Sequence, residues 1–398
     1  MLHPLVLKKS YLRRVEQYLR ILILSLTRRK YLKLFTAISA LGISPLSFGL
    51  LISNKNIEHV LRYMCWEGYN NPRVITPFEK QHNVQLDIEL IVDSPTGFSS
   101  LISEKYNSFD VVSIDSPWAR LMEENDLCHL LDFDEFKEEY GNLYTQFYDR
   151  FMSPISNGKI SGIPTRWGWI GPTINTAYTN EKEFESYAPF FDRKYHGKIG
   201  IMDWGDWPIM PIALYAGIDP YKKLDSHELD EIRKVVRALF KNNPVFIRDL
   251  SLAQKALLDG SIKSMIGTGT YLSLSLRKAG FLQIKTVVPE PINGLKQSII
   301  WVEKTVVMAK NNNIELSKKL LKHLVSTKAA LDISLTDYAC NLSTNRLVED
   351  LYSEKQREIF QLDEVKRVWN KSVFHELSPS IGTLLALWQE ELFMSDLL

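Results

Sequence analysis

Apolar and polar residues alternate in short runs along most of the chain, and each short apolar run is followed by a turn and a stretch with helical periodicity. Val84 to Val92 alternates and predicts a strand with one buried face, whereas Phe109 to Ile114 predicts a fully buried strand. Repeated strand–turn–helix units are typical of parallel sheets covered by helices. Ligands bind such sheets beyond the carboxyl ends of the strands, so we expect a site there.

The pattern predicts two successive series of these units, the second beginning near Gly168. The predicted strands lie at 60–64, 84–92, 109–114, 168–175, 198–202, 263–266, 284–288 and 299–309. The predicted helices lie at 72–82, to about 106 after a turn at 94–97, from 117 onward, at 207–215, 226–242, 251–259 and 270–278, and near 314–338, 354–371 and 378–394. One core rarely supports so many residues, so the fold class predicted is α/β with two lobes.

Two segments, Gly162–Asn175 and Ile299–Ala309, each join one series to the other, so we expect the chain to cross between the lobes there. Two lobes joined by two strands form a hinged clamp with a cleft. The predicted lobe 1 comprises residues 56–164 and 303–346, and the predicted lobe 2 comprises residues 165–302 and 347–398.

A basic leader, residues 1–55, precedes the predicted lobes. Its paired Arg28 and Arg29 stand before a weakly apolar run at 34–52, an order typical of a twin-arginine export signal. An uncleaved membrane anchor is the alternative, because the run is long enough to span a bilayer and Ser47–Gly49 is a poor cleavage site. We therefore expect a periplasmic protein, tethered through 34–52 if the signal is retained.

The charge of the whole chain is +1, but this value conceals an acidic body. The leader carries ten Lys or Arg residues and one acid, which leaves a net charge of about −8 after position 55. Nucleic-acid binding requires a basic face, so bulk charge excludes nucleic acid as a partner.

Motifs for catalysis or metal binding are missing from the sequence. It has no GxSxG, P-loop or HExxH, and its eight histidines are scattered. Cys65, Cys128 and Cys340 have no zinc-like spacing. Cys65 and Cys128 could pair in an oxidising compartment, although their separation alone cannot establish a disulfide. The sequence therefore predicts a binding protein without a metal or other cofactor, rather than an enzyme.

Aromatic and acidic residues cluster at strand ends and at a predicted crossing. The clusters are Trp66-Glu67-Gly68-Tyr69, Asp115-Ser116-Pro117-Trp118, Asp203-Trp204-Gly205-Asp206 and Trp301-Val302-Glu303. Carboxylates beside ring faces suit an ammonium ligand, because the acids accept charge-assisted hydrogen bonds and the rings attract cations. The structural alternative is that the tryptophans fill cores and the acids cap helices, as Asp206 could for a helix from Trp207.

These residues resemble the solute-binding proteins of polyamine (spermidine/putrescine) ABC importers, over nearly the whole body from Leu61 to Glu391. The resembling segments are Tyr63–Tyr69, Phe109–Val112, Gly162–Gly168, Gly260–Ile266 and Trp301–Glu303. The resemblance implies a type II periplasmic-binding-protein fold with the ligand in the cleft between hinged lobes. It also implies a small cationic amine as ligand, an inner-membrane ABC permease as partner, and a monomer.

The resemblance implies roles for individual residues of lobe 1. Trp66 and Tyr69 would box the carbon chain of the ligand. Asp115, Ser116 and Trp118 would contact one of its amine ends.

It likewise implies that Asp203 and Asp206 grip another nitrogen, that Trp301 stacks on the ligand, and that Glu303 binds a further nitrogen. Weaker correspondences place a polar contact near Asn341. They place another at His375 or Glu376, of which Glu376 is the predicted ligand residue.

Gly267 departs from the family, which has a tryptophan at that point, so one wall of the aromatic box is missing. Glu303 replaces an aspartate and reaches one methylene further. We therefore expect an amine whose size can differ from that of spermidine.

Two other functions stay open from the sequence. The same clamp could be a sensor for a membrane signalling partner. Alternatively, the Gly267–Thr270 and Ser94–Ser100 turns could bind a small anion through backbone amides.

Overall fold

The computed structural model describes residues 59–103, 109–152 and 158–395. In chain order its strands are β1 (His59–Cys65), β2 (Val84–Leu90), β3 (Val111–Asp115), β4 (Leu131–Asp132), β5 (Lys159–Ile160), β6 (Ile163–Ile170), β7 (Thr173–Asn175), β8 (Ile199–Met202), β9 (Val245–Ile247), β10 (Ser264–Ile266), β11 (Ile284–Thr286), β12 (Ser298–Val307), β13 (Leu342–Ser343) and β14 (Ser372–Phe374).

Its α-helices are α1 (Pro72–His82), α2 (Ser94–Ile102), α3 (Ser116–Glu124), α4 (Lys137–Gly141), α5 (Thr145–Met152), α6 (Ile209–Tyr215), α7 (Ser226–Phe240), α8 (Leu250–Asp259), α9 (Thr270–Lys278), α10 (Ile314–Val325), α11 (Thr327–Ser334), α12 (Glu354–Ile359), α13 (Val365–Lys371) and α14 (Ile381–Met394). Short 3₁₀ helices lie at Phe133–Phe136, Glu181–Phe184, Ala188–Phe191, Arg193–Tyr195, Arg346–Leu351 and Leu362–Glu364.

The predicted leader and its apolar run at 34–52 lie outside the described residues. Among the helices that are described, none combines the length and the apolar character needed to cross a membrane.

Helix ends follow local sequence signals. Asn71 accepts a hydrogen bond from the backbone of Arg73 and starts α1, and Asn83 ends it in the left-handed region at φ 49°. Asp225 and Glu228 form a reciprocal capping box at the start of α7. Helix α1 has the predicted bounds because such signals are short-range, and α9 has them as well although no side chain caps its start.

The larger sheet has the order β13-β6-β12-β3-β1-β2, and β14 also pairs with β12. β1 lies parallel to both β2 and β3, as repeated strand–turn–helix units require. β12 runs antiparallel to β3 and to β6, and all ten of its residues are buried. The strands that carry Asp115, Arg166 and Glu303 are therefore adjacent.

The smaller sheet has the order β11-β7-β10-β8-β9. β8 lies parallel to β9 and β10, and β7 runs antiparallel to β10 and β11. β9 was not predicted; it is a three-residue edge strand of which only Ile247 is buried.

Each sheet has its own hydrophobic core. One core includes Leu320 and Leu324 of α10, and another joins Ile232 of α7 to Trp388 of α14. Trp301 belongs to the second core although its strand lies in the larger sheet. The predicted two-lobed α/β architecture is confirmed.

The chain passes between the sheets through residues 171–172, between β6 and β7, and through residues 287–297, between β11 and β12. The two passages touch: the Val287 amide donates to the Pro172 carbonyl at 2.9 Å. A Cβ atom at Gly171 would lie 2.0 Å from the Val287 carbonyl oxygen, so this close approach requires glycine. The predicted lobe boundaries at 164/165 and 302/303 fall inside β6 and β12, and that division stays a prediction.

All three cysteines are buried and free, so Cys65 and Cys128 do not form the disulfide that the sequence left open. Burial raises the pKa of Cys128 and of Cys340 to about 12. Both thiols are therefore protonated at neutral pH.

Candidate ligand-binding site

Three charged residues lie side by side across the middle of the larger sheet. Asp115, the last residue of β3, is opposite Glu303 on β12. Glu303 is opposite Arg166 on β6. Side chains directly opposite on antiparallel strands point to the same face and lie about 5 Å apart at Cβ, so these three groups interact.

Glu303 is buried and already has partners. The Arg166 Nε donates to Glu303 Oε2 at 2.6 Å, and the Tyr69 hydroxyl donates to the same oxygen at 2.8 Å. Arg166 also donates to the carbonyl oxygen of Glu67 at 2.8 Å. Burial alone would lower the pKa of Arg166, but the Glu303 carboxylate raises it above its usual value. Arg166 therefore neutralises Glu303 in this structure.

Asp115 is a buried acid beside the Glu303 carboxylate. Its carboxylate accepts a hydrogen bond from the Ser94 hydroxyl at 2.8 Å. Burial raises the pKa of Asp115 to about 7, and the charge of Glu303 adds to this effect. His375 opposes the shift and Asp206 reinforces it, so the fields of both residues also reach Asp115.

Asp206 enters the site from the smaller sheet, in the turn that follows β8. His375 Nε2 lies 3.3 Å from Asp206 Oδ2, and the His375 ring stacks on Trp207 with centroids 4.9 Å apart. The His375 amide donates to the Ile300 carbonyl of β12 at 2.8 Å. His375 therefore links the acid from one lobe to the central strand of the other.

We call Asp115, Asp206 and Glu303, together with Arg166 and His375, the acid centre. Sequence patterns singled out the three acids but missed the two basic residues. Arg166 lies in the segment Gly162–Gly168 that resembles the family, without an assigned role, and His375 was named only as the alternative to the predicted Glu376. Both residues gain their importance from partners that are distant in sequence, which no local pattern shows.

Two of the predicted aromatic residues, Trp66 and Trp301, differ in burial but share an unpaired indole nitrogen. Trp66 is half-buried between two cores, and its indole nitrogen has no hydrogen-bond partner in the described part of the chain. Trp301 is 4% exposed, and its indole nitrogen is likewise without a described partner. Each of these two indoles therefore has one unused hydrogen-bond donor. Leaving a buried N–H group unpaired costs free energy.

Gly168 holds the backbone of β6 against the Trp301 ring. A Cβ atom at Gly168 would lie 2.6 Å from the ring and 2.0 Å from the hydroxyl oxygen of Thr270. Thr270 in turn accepts a hydrogen bond from the Trp169 amide at 3.1 Å. The absence of a side chain at Gly168 therefore fixes the position of Trp301.

Trp118 and Tyr69 do not face an open cleft. Trp118 lies in the core, with its ring 5.4 Å from that of Phe98, so the structural alternative describes it better. Tyr69 is fully buried, and its hydroxyl also bonds Thr165 at 2.6 Å. Neither ring can enclose a ligand unless its side chain moves out of its buried position.

Asp203 and Asp206 do not act as one pair. The Arg248 Nη2 lies 2.5 Å from Asp203 Oδ2, so Asp203 has a cation of its own while Asp206 faces His375. Gly267 has φ +71°, and a Cβ atom there would lie 3.0 Å from the Cα atom of Pro208. A larger residue at 267 would therefore be strained.

An aromatic wall nevertheless exists near Gly267. Tyr271 donates its hydroxyl hydrogen to the Gly267 carbonyl at 2.9 Å, and its ring stacks on Trp204 at 5.6 Å. The i to i+4 spacing of Gly267 and Tyr271 could have indicated this contact.

Ser116 and Glu376 line a different space from the acid centre. They belong to the walls of a cavity of about 770 Å³, whose walls do not include the five residues of the acid centre. Glu376 forms ion pairs with Arg150 and, at 3.9 Å, with Arg120. Asn341 is buried, and its side-chain oxygen has no partner among the described residues.

The two turns suggested as an anion site already make other contacts within the protein. Gly269 packs against β6, because a Cβ atom there would lie 2.1 Å from the Trp169 carbonyl oxygen. Asp93 caps α2, and Ser94 donates to Asp115. Two carboxylates beside this helix start disfavour an anion.

Within the described ranges, no group of His, Cys, Asp or Glu side chains is arranged to hold a metal ion. The acid centre, which joins carboxylates from two sheets near indole rings, can accept charge-assisted hydrogen bonds from a small organic cation.

Several solved structures share this fold. The spermidine/putrescine ABC transporter substrate-binding protein of Streptococcus pneumoniae is 17% identical, with a TM-score of 0.69 over 85% of this chain and 100% of its own. A protein assigned to a spermidine/putrescine ABC transporter of Listeria monocytogenes is also 17% identical, with a TM-score of 0.66 over 83% and 98%. The GacH receptor of Streptomyces glaucescens, which binds acarbose, is 16% identical, with a TM-score of 0.64 over 84% and 94%.

No curated protein sequence matches the chain significantly. The profile of the family described as bacterial extracellular solute-binding protein matches residues 73–341, more than half of the chain. The chain therefore belongs to the bacterial extracellular solute-binding protein family.

Proposed function

We propose that this protein captures a small cationic amine of the polyamine class and delivers it to an ABC permease in the inner membrane. We further propose that it works as a periplasmic monomer, exported through the signal at Arg28 and Arg29. One similar structure is a spermidine/putrescine substrate-binding protein, which supports the ligand class. The family supports a binding role rather than catalysis.

The observation that carries the proposal is the acid centre. It brings two carboxylates of the larger sheet together with one from the smaller sheet, and of the three only Glu303 is paired with an arginine. Asp115 and Asp206 are the carboxylates left for a ligand. Two acids without an arginine or lysine partner favour a diamine over a longer and more highly charged polyamine.

Asp115 and Asp206 come from different sheets. Asp115 ends β3 of the larger sheet, and Asp206 follows β8 of the smaller sheet. A ligand that bonds both acids gains contacts only when the lobes approach, so it would favour the closed form. The paired passages at Pro172 and Val287 are where we expect the bend.

Titration calorimetry with 1,4-diaminobutane, spermidine and 1-aminobutane tests the proposal. We expect the diamine to bind most tightly, because the monoamine reaches one acid only. Asp206→Asn should weaken diamine binding tenfold or more, since the amide carries no charge. The control is Asp230→Asn on the exposed face of α7, which should bind as the unmodified protein does. The assignment is wrong if Asp206→Asn leaves diamine affinity unchanged.

A further inference from the structure

Lys304 is a buried cation whose nearest acidic influence in the described part of the chain is the Glu123 carboxylate, which favours the charged form without forming an ion pair. It is 5% exposed, and among the described residues its ammonium group forms no ion pair. Its Nζ donates to the Ser161 hydroxyl at 2.5 Å and lies 5.7 Å from the centre of the Phe151 ring. Burial lowers the pKa of Lys304, as expected for an ammonium removed from water. Burying a charge without a counter-ion is unfavourable, so an anion bound beside Lys304 would be stabilised by its charge.

An open space lies beside this ammonium group. Lys304 lines the cavity of about 770 Å³ between α3, α5, β12 and β14, which we call the Lys304 cavity. Its buried walls include Ser116 and Phe151, and this volume is within the range of about 300–1,000 Å³ typical of small-molecule sites. The arginines on its walls, Arg120 and Arg150, are already paired with Glu376. Lys304 is therefore the cation left for a ligand.

The outer part of the Lys304 cavity carries the opposite charge. Glu123 is half-buried and Asp149 is exposed, and neither is ion-paired with another described residue. These carboxylates would repel a dianion such as phosphate but would attract an ammonium group. The Lys304 cavity thus offers a cation at depth and acids near solvent.

We propose that the Lys304 cavity is a second ligand site, which binds a small zwitterionic amino acid with its carboxylate at Lys304 and its ammonium group at Glu123 and Asp149. This site is independent of the proposed amine site, because the two use different side chains. At three points the chain contributes successive residues to the two sites: Asp115 and Ser116, Glu303 and Lys304, and His375 and Glu376. In β12 a shift of register falls between Glu303 and Lys304.

Three probes of equal carbon number separate the charges. These are 5-aminopentanoate, pentanoate and 1,5-diaminopentane, each titrated into the full chain by calorimetry. We expect 5-aminopentanoate to bind more tightly than pentanoate, and to bind still when 1,5-diaminopentane is present in excess. Lys304→Met should weaken 5-aminopentanoate binding at least tenfold without changing diamine binding, and Lys304→Arg should retain most of it.

Lys322→Met is the matched control, because Lys322 lies on α10 and pairs with Glu139 at 3.1 Å, away from the cavity. The inference is overturned if Lys304→Met binds 5-aminopentanoate normally, if excess diamine abolishes that binding, or if the unmodified protein does not bind the amino acid. If only the amine proposal is wrong, the unmodified protein does not bind the diamine but still binds 5-aminopentanoate. Melting temperatures of the variants would show whether each protein is folded.

Discussion

Asp115 titrates near neutrality because it is buried beside another carboxylate. In the free protein its pKa is raised to about 7, well above the usual value of 3.8. A group whose pKa rises on folding stabilises the fold most at low pH, and that contribution is lost as pH rises through 7. A bound ammonium favours the ionised form and reverses this preference.

Amine binding should therefore release protons near pH 6.5. Calorimetry in two buffers of different ionisation enthalpy would measure the release, and diamine affinity should rise between pH 6 and 8. Asp115→Asn should abolish most of the release. Proton release measured with His375→Gln shows how much His375, which faces the same centre, contributes to it. Equal proton release in the Asn variant would contradict the role of Asp115.

Glu303 and Arg166 form an ion pair that is expensive to break. Both side chains are almost fully buried, at 6% and 5% exposure. Removing one partner of a buried pair typically costs about 3–5 kcal/mol, because the other charge is left uncompensated. Glu303→Gln should lower the free energy of unfolding by about this amount in urea denaturation.

The double variant Arg166→Met with Glu303→Gln provides the comparison. It should lose less stability than the two single variants combined, since it leaves no buried charge. Strict additivity would mean that the pair contributes little.

At the scale of elements, Gly168 in β6 shows how one small residue organises the wall of the site. A methyl group there would collide with Trp301 and Thr270. Overpacking of this kind costs about 1–3 kcal/mol. Gly168→Ala should therefore lower the unfolding free energy by that amount, measured by chemical denaturation.

Gly141→Ala is the control for this change. No atom lies within 4 Å of a Cβ atom at Gly141, and the position is at the exposed end of α4. Alanine there should be neutral or slightly stabilising. A similar loss in both variants would show that space around Gly168 is not the cause.

The secondary structure was largely predictable because its signals are local. The predicted strand at 168–175 is divided in the structure, since Gly171 and Pro172 turn the chain from one sheet to the other. The convergence of Asp115 and Asp206 could be expected because each lies at or after the end of a strand, whereas Glu303 lies inside β12. The neutralisation of Glu303 by Arg166 could not be expected from the sequence, because the two residues are 137 positions apart.

At the scale of the whole molecule, the paired passages at Pro172 and Val287 join the two lobes, and we expect the bend between the lobes there. If a diamine bridges Asp115 and Asp206, the lobes should approach and the radius of gyration should fall. Small-angle scattering with and without saturating 1,4-diaminobutane measures this change. Asp206→Asn should remain open at the same ligand concentration, and an equal decrease in that variant would contradict closure through Asp206.

The three free, buried thiols have a consequence for biogenesis. No covalent cross-link among Cys65, Cys128 and Cys340 holds the two halves together, so acquiring the native shape requires no oxidant. A chain of this kind can fold in a reducing compartment, which is compatible with the twin-arginine export proposed above.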